Sequence, residues 1–239
     1  ENRVELGPIY SPLESVASEF MRIIDLHTYP RRAHFEMYRA MDYPHFGLTA
    51  PVEIARFQAA VKDRGASFTL ALIYLLARSA NRLPEFRRRI RVTPPGASGD
   101  GPVIVEHEVV HPAPTLPVGN DLFGFYHADY VDDYTQCAAG AQAAIDRAIA
   151  NPTLQDEPGR DDWLFLSAIP WVAFSAISHP IQMHPADSVP RISWGKFTRS
   201  ARRTQMPLAV QVNHALMDGL HVGRFYEIVQ ARLDQPDWL

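Results

Sequence analysis

"PLAVQVNHALMDGLHVGRF", residues 207–225, is the stretch from which the fold can be read. Its first half is apolar and β-branched, which predicts a strand over 205–215. Its second half predicts a helix from about Gly219 to Leu233. Between them His214 stands at the strand end, four residues before Asp218-Gly219, and Gly219 permits a tight turn. A neutral imidazole held at such a place takes a proton near pH 7. Asp218 either holds the loop or contacts the imidazole. A structural histidine followed by a helix-capping aspartate fits the same residues, and so short a motif does not separate the two.

Outward from this stretch, strands and helices alternate. "FGLTAPVEI" (46–54) predicts a strand leading into a helix over 52–64, closed by Gly65. "SFTLALIYLLARSANRL" (67–83) is apolar around the whole cylinder, which predicts a buried helix. "PVIVEHEVV" (102–110), "LFGFYHADY" (122–130), "DWLFLSAIPWVAF" (162–174) and "RISWGKFT" (191–198) read as strands. "DDYTQCAAGAQAAIDRAIA" (132–150) is an Ala-rich helix with Asp132 or Asp133 in its first turn. "AHFEMYRAM" (33–41) is weakly helical or irregular, and Ser11-Pro12 opens a short helix over 11–24. Short strands interspersed with long helices predict an α/β fold: one domain in which a mixed sheet is packed by helices.

Composition narrows the function. The formal net charge of −4 and short basic runs, "EFRRRIR" (85–91) and "RSARR" (199–203), give no concentrated cationic face for nucleic acid; both runs read as solvated surface. A single cysteine, Cys137, rules out an intrachain disulfide. The longest apolar stretch (69–77) is too short to span a bilayer, and the N-terminus lacks a signal peptide's apolar core, so the expected location is cytoplasmic. His179 and His184 invite a metal reading, but two prolines and the lack of a nearby Cys or carboxylate pair argue against it, so no metal is expected. His107 and His111, spaced to share one strand face, read as structural or surface residues.

Residues 207–225 resemble the C-terminal signature of the chloramphenicol acetyltransferases, P-L-x-x-Q-V-H-H-A-V-x-D-G followed by F-H-V. Two further segments match in order. "IDLHTYPRRAHFEMYR" (24–39) resembles the family's W-x-R-R-E-H-F-E-F-Y, and "SAIPWVAFSAISHP" (167–180) its S-A-x-P-W-V-x-F-x-S. The resemblance covers residues 24–239 and leaves 1–23 as an N-terminal extension. It implies a two-layer α/β sandwich, a homotrimer with sites between subunits, and acetyl-CoA as a co-substrate rather than a tightly bound cofactor. It implies that His214 removes the proton of an acceptor hydroxyl, on chloramphenicol or a similar small molecule, as the oxygen attacks the thioester directly. Asp218 then pairs with Arg31 and fixes the loop. Tyr38 and Phe46 map onto the acceptor-pocket wall, Ser193 onto a threonine that positions a water, and Lys196 and Phe197 onto residues at the nucleotide end of CoA. Asn213 stands where many relatives have a first histidine.

One position departs from the pattern. The family serine that stabilises the tetrahedral oxyanion aligns with Ala176, and the neighbouring Ser175 substitutes only if a bulge re-aims it, because adjacent strand residues face opposite sides. Losing one such donor costs roughly 2.7–4 kcal/mol. Either another donor acts, such as water held by Ser193, or chloramphenicol turns over slowly, or the acceptor needs no such donor. The alternatives are therefore a same-fold acyltransferase with a biosynthetic acceptor and a non-catalytic trimeric binding protein.

Overall fold

The strand predicted over 205–215 is β10 (Thr204–Asn213), and it pairs antiparallel with β2 (His45–Glu53) along nearly its whole length, from Gln205↔Glu53 to Asn213↔His45. The computed structural model describes residues 21–92, 101–157 and 159–239. In chain order the other elements are β1 (Met21–Ile24), α1 (Arg32–Arg39), α2 (Ala55–Asp63), α3 (Phe68–Asn81), β3 (Arg88–Val92), β4 (Pro102–His107), β5 (His111–Gly119), β6 (Leu122–Phe125), α4 (Tyr134–Ala150), β7 (Trp163–Ile169), β8 (Arg191–Gly195), β9 (Thr198–Arg199) and α5 (Gly219–Asp234). The main sheet runs β2-β10-β8-β7-β5-β6, with β9 as a short hairpin on β10. It is mixed: β7 is parallel to β5 and β8, and the other pairs are antiparallel. A second sheet, β1-β4-β3, is antiparallel throughout.

Strand periodicity decides which face is covered. Met206, Leu208, Val210 and Val212 are sealed in one core with Leu72, Leu75 and Leu76 of α3 and Val222, Phe225 and Val229 of α5. Burial of each such side chain contributes about 1.5–3 kcal/mol. The alternate residues Ala209, Gln211 and Asn213 lie on the other face. There Ser193 of β8 stands opposite Ala209, and Ser167 of β7 stands beside Ser193. The architecture is the two-layer α/β sandwich expected, with α3 buried around nearly its whole cylinder.

Several expectations are corrected. Residues 11–20 lie outside the described residues, and 21–24 form strand β1 rather than the end of a helix, because their backbone completes a ladder on β4. The 102–110 strand stops at His107, and His111 begins β5, so the two histidines share no strand. Pro112, Pro114 and Pro117 hid β5 in the sequence. Pro112 and Pro114 are tolerated because they present their carbonyls to the outer side, where Ala128 and Tyr126 donate to them, and no proline N–H is needed toward β7. The 122–130 strand ends at Phe125.

The 162–174 strand ends at Ile169, followed by a turn at Pro170-Trp171, so Ser175 and Ala176 lie on irregular chain. Strand alternation therefore no longer separates them. "EFRRRIR" is not solvated surface. Arg89 is fully buried and donates to the carbonyls of Phe86, Arg88, Asp161 and Trp163. Arg91 grips Asp161 with two bonds of 2.8 and 2.7 Å, which ties the small sheet to the chain entering β7. "RSARR" is exposed, as read.

Candidate active site

His214 follows the last residue of β10, and its backbone N–H donates to Pro44 O at 2.7 Å, so the strand end is fastened to the entry of β2. Its Nδ1 lies 3.1 Å from Met217 O. A carbonyl only accepts, so Nδ1 carries the ring proton and Nε2 keeps a free lone pair. Tyr38 from α1 stacks on the ring at 3.9 Å and 7° between planes, and Phe46 of β2 closes in at 4.5 Å and 45°. The imidazole is thus fixed in tautomer and orientation, with its basic nitrogen bonded to none of the described residues.

Asp218 is the N-cap of α5 and accepts from Leu220 N–H at 3.0 Å. Its other oxygen receives Arg31 Nη1 at 2.5 Å. Among the described residues Asp218 makes no bond to His214: it holds the loop. Burial pushes its carboxyl pKa up, but the Arg31 bond, the nearby His221 and the Leu220 N–H outweigh it and lower the value to about 2. His221 completes a capping box by accepting the Asp218 N–H, and its far nitrogen lies 3.7 Å from Glu85. Asn213 is 2 % exposed. Its side chain accepts Ala215 N–H at 3.0 Å and donates to Asp187 O at 3.2 Å, so it braces the turn that carries His214. His45 donates to the same carbonyl at 2.7 Å. The sequence carried no local signal for this bracing role, because Asp187 lies 26 residues away.

The remaining candidates form a second group. Ser193 sits on β8 opposite Ala209, four residues up β10 from Asn213, or about 13 Å along the strand. Its hydroxyl is buried and 2.7 Å from His179 Nε2. Ser175 and Ala176 are exposed, and Ser175 lines a cavity of about 310 Å³ with Thr49, Pro51, Thr198 and Pro207. Lys196 is exposed, its N–H bonded to Val172 O at 2.9 Å. Phe197 is 37 % exposed and packs at 5.7 Å on Phe68. Gly195 allows this close approach: a Cβ there would meet Val172 O at 2.7 Å and Pro207 at 2.8 Å. Among the described residues, no hydrogen bond, ion pair or ring contact joins Ser193, Ser175, Ala176, Lys196 or Phe197 to His214, Asp218, Arg31, Tyr38 or Phe46. No group of side chains suited to a metal ion occurs among the described residues. No helix among them is long and apolar enough to cross a membrane.

The family profile described as chloramphenicol acetyltransferase matches residues 19–230. The chain belongs to the chloramphenicol acetyltransferase family. It is thereby classed with the acyltransferases. Among relatives, the chloramphenicol acetyltransferase of Streptomyces acrimycini is 33 % identical over 221 residues, covering 90 % of this chain and 96 % of that one. Chloramphenicol acetyltransferase 2 of Haemophilus influenzae is 28 % identical over 212 residues, covering 88 % and 96 %. A solved chloramphenicol acetyltransferase superposes with a TM-score of 0.75 at 24 % identity, covering 89 % of this chain and 99 % of that one. A dihydrolipoamide acetyltransferase of Azotobacter vinelandii shares the fold, with a TM-score of 0.60 at 17 % identity over 85 % of this chain and 86 % of that one.

Proposed function

We propose that this family member is an acetyl-CoA-dependent O-acetyltransferase acting on chloramphenicol or a similarly small hydroxylated acceptor in the cytoplasm. The observation that carries the reading is the state of His214. Its Nδ1 proton is committed to Met217 O, its ring is clamped by Tyr38 and Phe46, and Nε2 bonds to none of the described residues. A hydroxyl is a weak nucleophile until its proton has somewhere to go, and a positioned base contributes about 10²–10⁴-fold. His214 Nε2 takes that proton as the acceptor oxygen bonds to the thioester carbon, and returns it to the departing CoA sulfur. Arg31 and Asp218 act through the turn, not on the substrate.

The site is shared between subunits of a homotrimer. The two groups of candidates support this, since a neighbour's Ser193 and Ala176 would face the His214 group. So do Trp171 and Val172, which are 73 % and 54 % exposed next to the Ser175–Ala176 segment. Lys196 and Phe197 serve the nucleotide end of acetyl-CoA.

The test is release of free CoA from acetyl-CoA with chloramphenicol and with a panel of small alcohols and amines, alongside light scattering. Acceptor-dependent release by a particle about three times 26.9 kDa is expected. A fully active monomer would contradict the shared site, and release with no acceptor in the panel would contradict the activity. Ala176 favours a second reading, the same chemistry on a different acceptor, which the panel separates by comparing kcat/KM.

A further inference from the structure

Ala176 leaves the proposed site without the hydroxyl that would meet the developing oxyanion. Three residues later on the same irregular segment stands His179, which no role has yet absorbed. Ser193, 1 % exposed, must give its hydroxyl proton to an acceptor. Among the described residues the acceptor it meets is His179 Nε2, at 2.7 Å. Nε2 therefore carries no proton, and a neutral imidazole must hold its proton on Nδ1. Burial, assisted by the Arg191 guanidinium, pushes the His179 pKa below its ordinary value and keeps the ring neutral.

The backbone that carries the ring is anchored. The His179 backbone N–H donates to Gln211 Oε1 at 2.8 Å, and Gln211 Nε2 donates to Tyr43 Oη at 3.0 Å. Nδ1 bonds to no described residue, and His179 as a whole is half-buried. The result is an N–H donor held close to Ser193 and spent on none of the described residues.

We propose that His179 is the oxyanion donor of this enzyme, its Nδ1–H standing in for the hydroxyl absent at Ala176. The inference rests on the acyltransfer reading above. As the acceptor oxygen bonds to the thioester carbon and its proton passes to His214 Nε2, the carbonyl π pair moves to oxygen, and Nδ1–H bonds to that oxygen. When the pair returns, the C–S bond breaks and the CoA sulfur takes the proton back from His214. His179 ends as it began, having neither gained nor lost a proton. The bond strengthens only as the oxygen becomes charged, so it acts on kcat more than on binding. A neutral imidazole suits the task because it donates without bringing a charge into the site. Ser193 becomes a positioning residue: its hydroxyl selects the tautomer.

Asn places its amide nitrogen near the position of imidazole Nδ1, and Gln near Nε2. His179→Ala and His179→Gln should therefore lower kcat about 10²-fold, with KM for acetyl-CoA changed less than twofold, while His179→Asn keeps kcat within tenfold of the parent. Ala176→Ser should add less than threefold to the parent and at least tenfold to His179→Ala. Circular dichroism and mass confirm that each variant is folded and assembled. Equal kcat for the Ala and Asn variants, or a His179→Ala loss below threefold, would overturn the proposal. Nitrogen-15 spectra of the His179 ring judge it without turnover. The Nδ1–H tautomer is expected, lost in Ser193→Ala, and an Nε2–H tautomer overturns the inference. Absence of turnover with every acceptor would instead count against the acyltransfer reading.

Discussion

Asp218→Asn isolates the charge on the residue that holds the catalytic turn. Asparagine is as good an N-cap as aspartate, so the bond to Leu220 N–H survives and the ion pair with Arg31 is what is lost. The fall of the carboxyl pKa from 3.8 to about 2 corresponds to roughly 2 kcal/mol. The side chain keeps 31 % exposure, so solvent screening reduces this to about 1–1.5 kcal/mol. For a chain of this size that shifts Tm down by about 2–6 °C at fixed protomer concentration. The pH dependence has a definite sign. Because the folded value is depressed, the contribution is complete above 3.8 and fades as pH falls toward about 2; the variant should lack that fade. Loosening of the turn should also lower kcat about tenfold to a hundredfold, as misplacing a catalytic group by about 1 Å does. The assays are thermal unfolding from pH 2 to 7 and CoA release, for Asp218→Asn, Arg31→Ala and the double variant. Unchanged Tm and kcat in Asp218→Asn, or strictly additive effects in the double variant, would mean that the Arg31–Asp218 pair does not hold the turn.

Arg89→Ala should destabilise by about 3–5 kcal/mol, because four carbonyls, two of them in buried bonds, lose their donor; chemical denaturation measures it, and a change below 1 kcal/mol would contradict the clamp. Gly195→Ala should cost about 1–3 kcal/mol, since the new methyl meets Val172 O at 2.7 Å and Phe174 at 2.8 Å; an unchanged Tm would count against that close approach. Asn213→Ala should lower kcat through the turn it braces while leaving the Arg31–Asp218 pair intact. A wild-type kcat would remove Asn213 from the positioning set.

Local pattern made much of this legible. β10 and α3 were readable because period-2 alternation and an all-apolar helix are local signals. His214, Asp218 and Arg31 were legible from the motif resemblance, and the Arg31–Asp218 bond joins residues 187 positions apart. β5 was hidden because its prolines argue against a strand unless the outer side of the ladder is known. Arg89 read as solvated because three consecutive arginines are usually surface; its burial depends on carbonyls from Asp161 and Trp163 converging on one point. The rule that adjacent strand residues face opposite ways was sound, but Ser175 and Ala176 are not on a strand. From the sequence His179 reads only as a candidate metal ligand, because its partner Ser193 reaches it from β8, 14 residues away.

Catalysis at this site turns on His214 Nε2 accepting the proton of an acceptor hydroxyl. The direct measurement is the rate of CoA release from acetyl-CoA with the best acceptor, for the parent and for His214→Ala, with folding checked by circular dichroism and CoA binding by calorimetry. A loss of at least about 10²-fold is expected in a folded variant that still binds CoA. A His214→Ala protein that keeps more than a few per cent of the parent rate would contradict it.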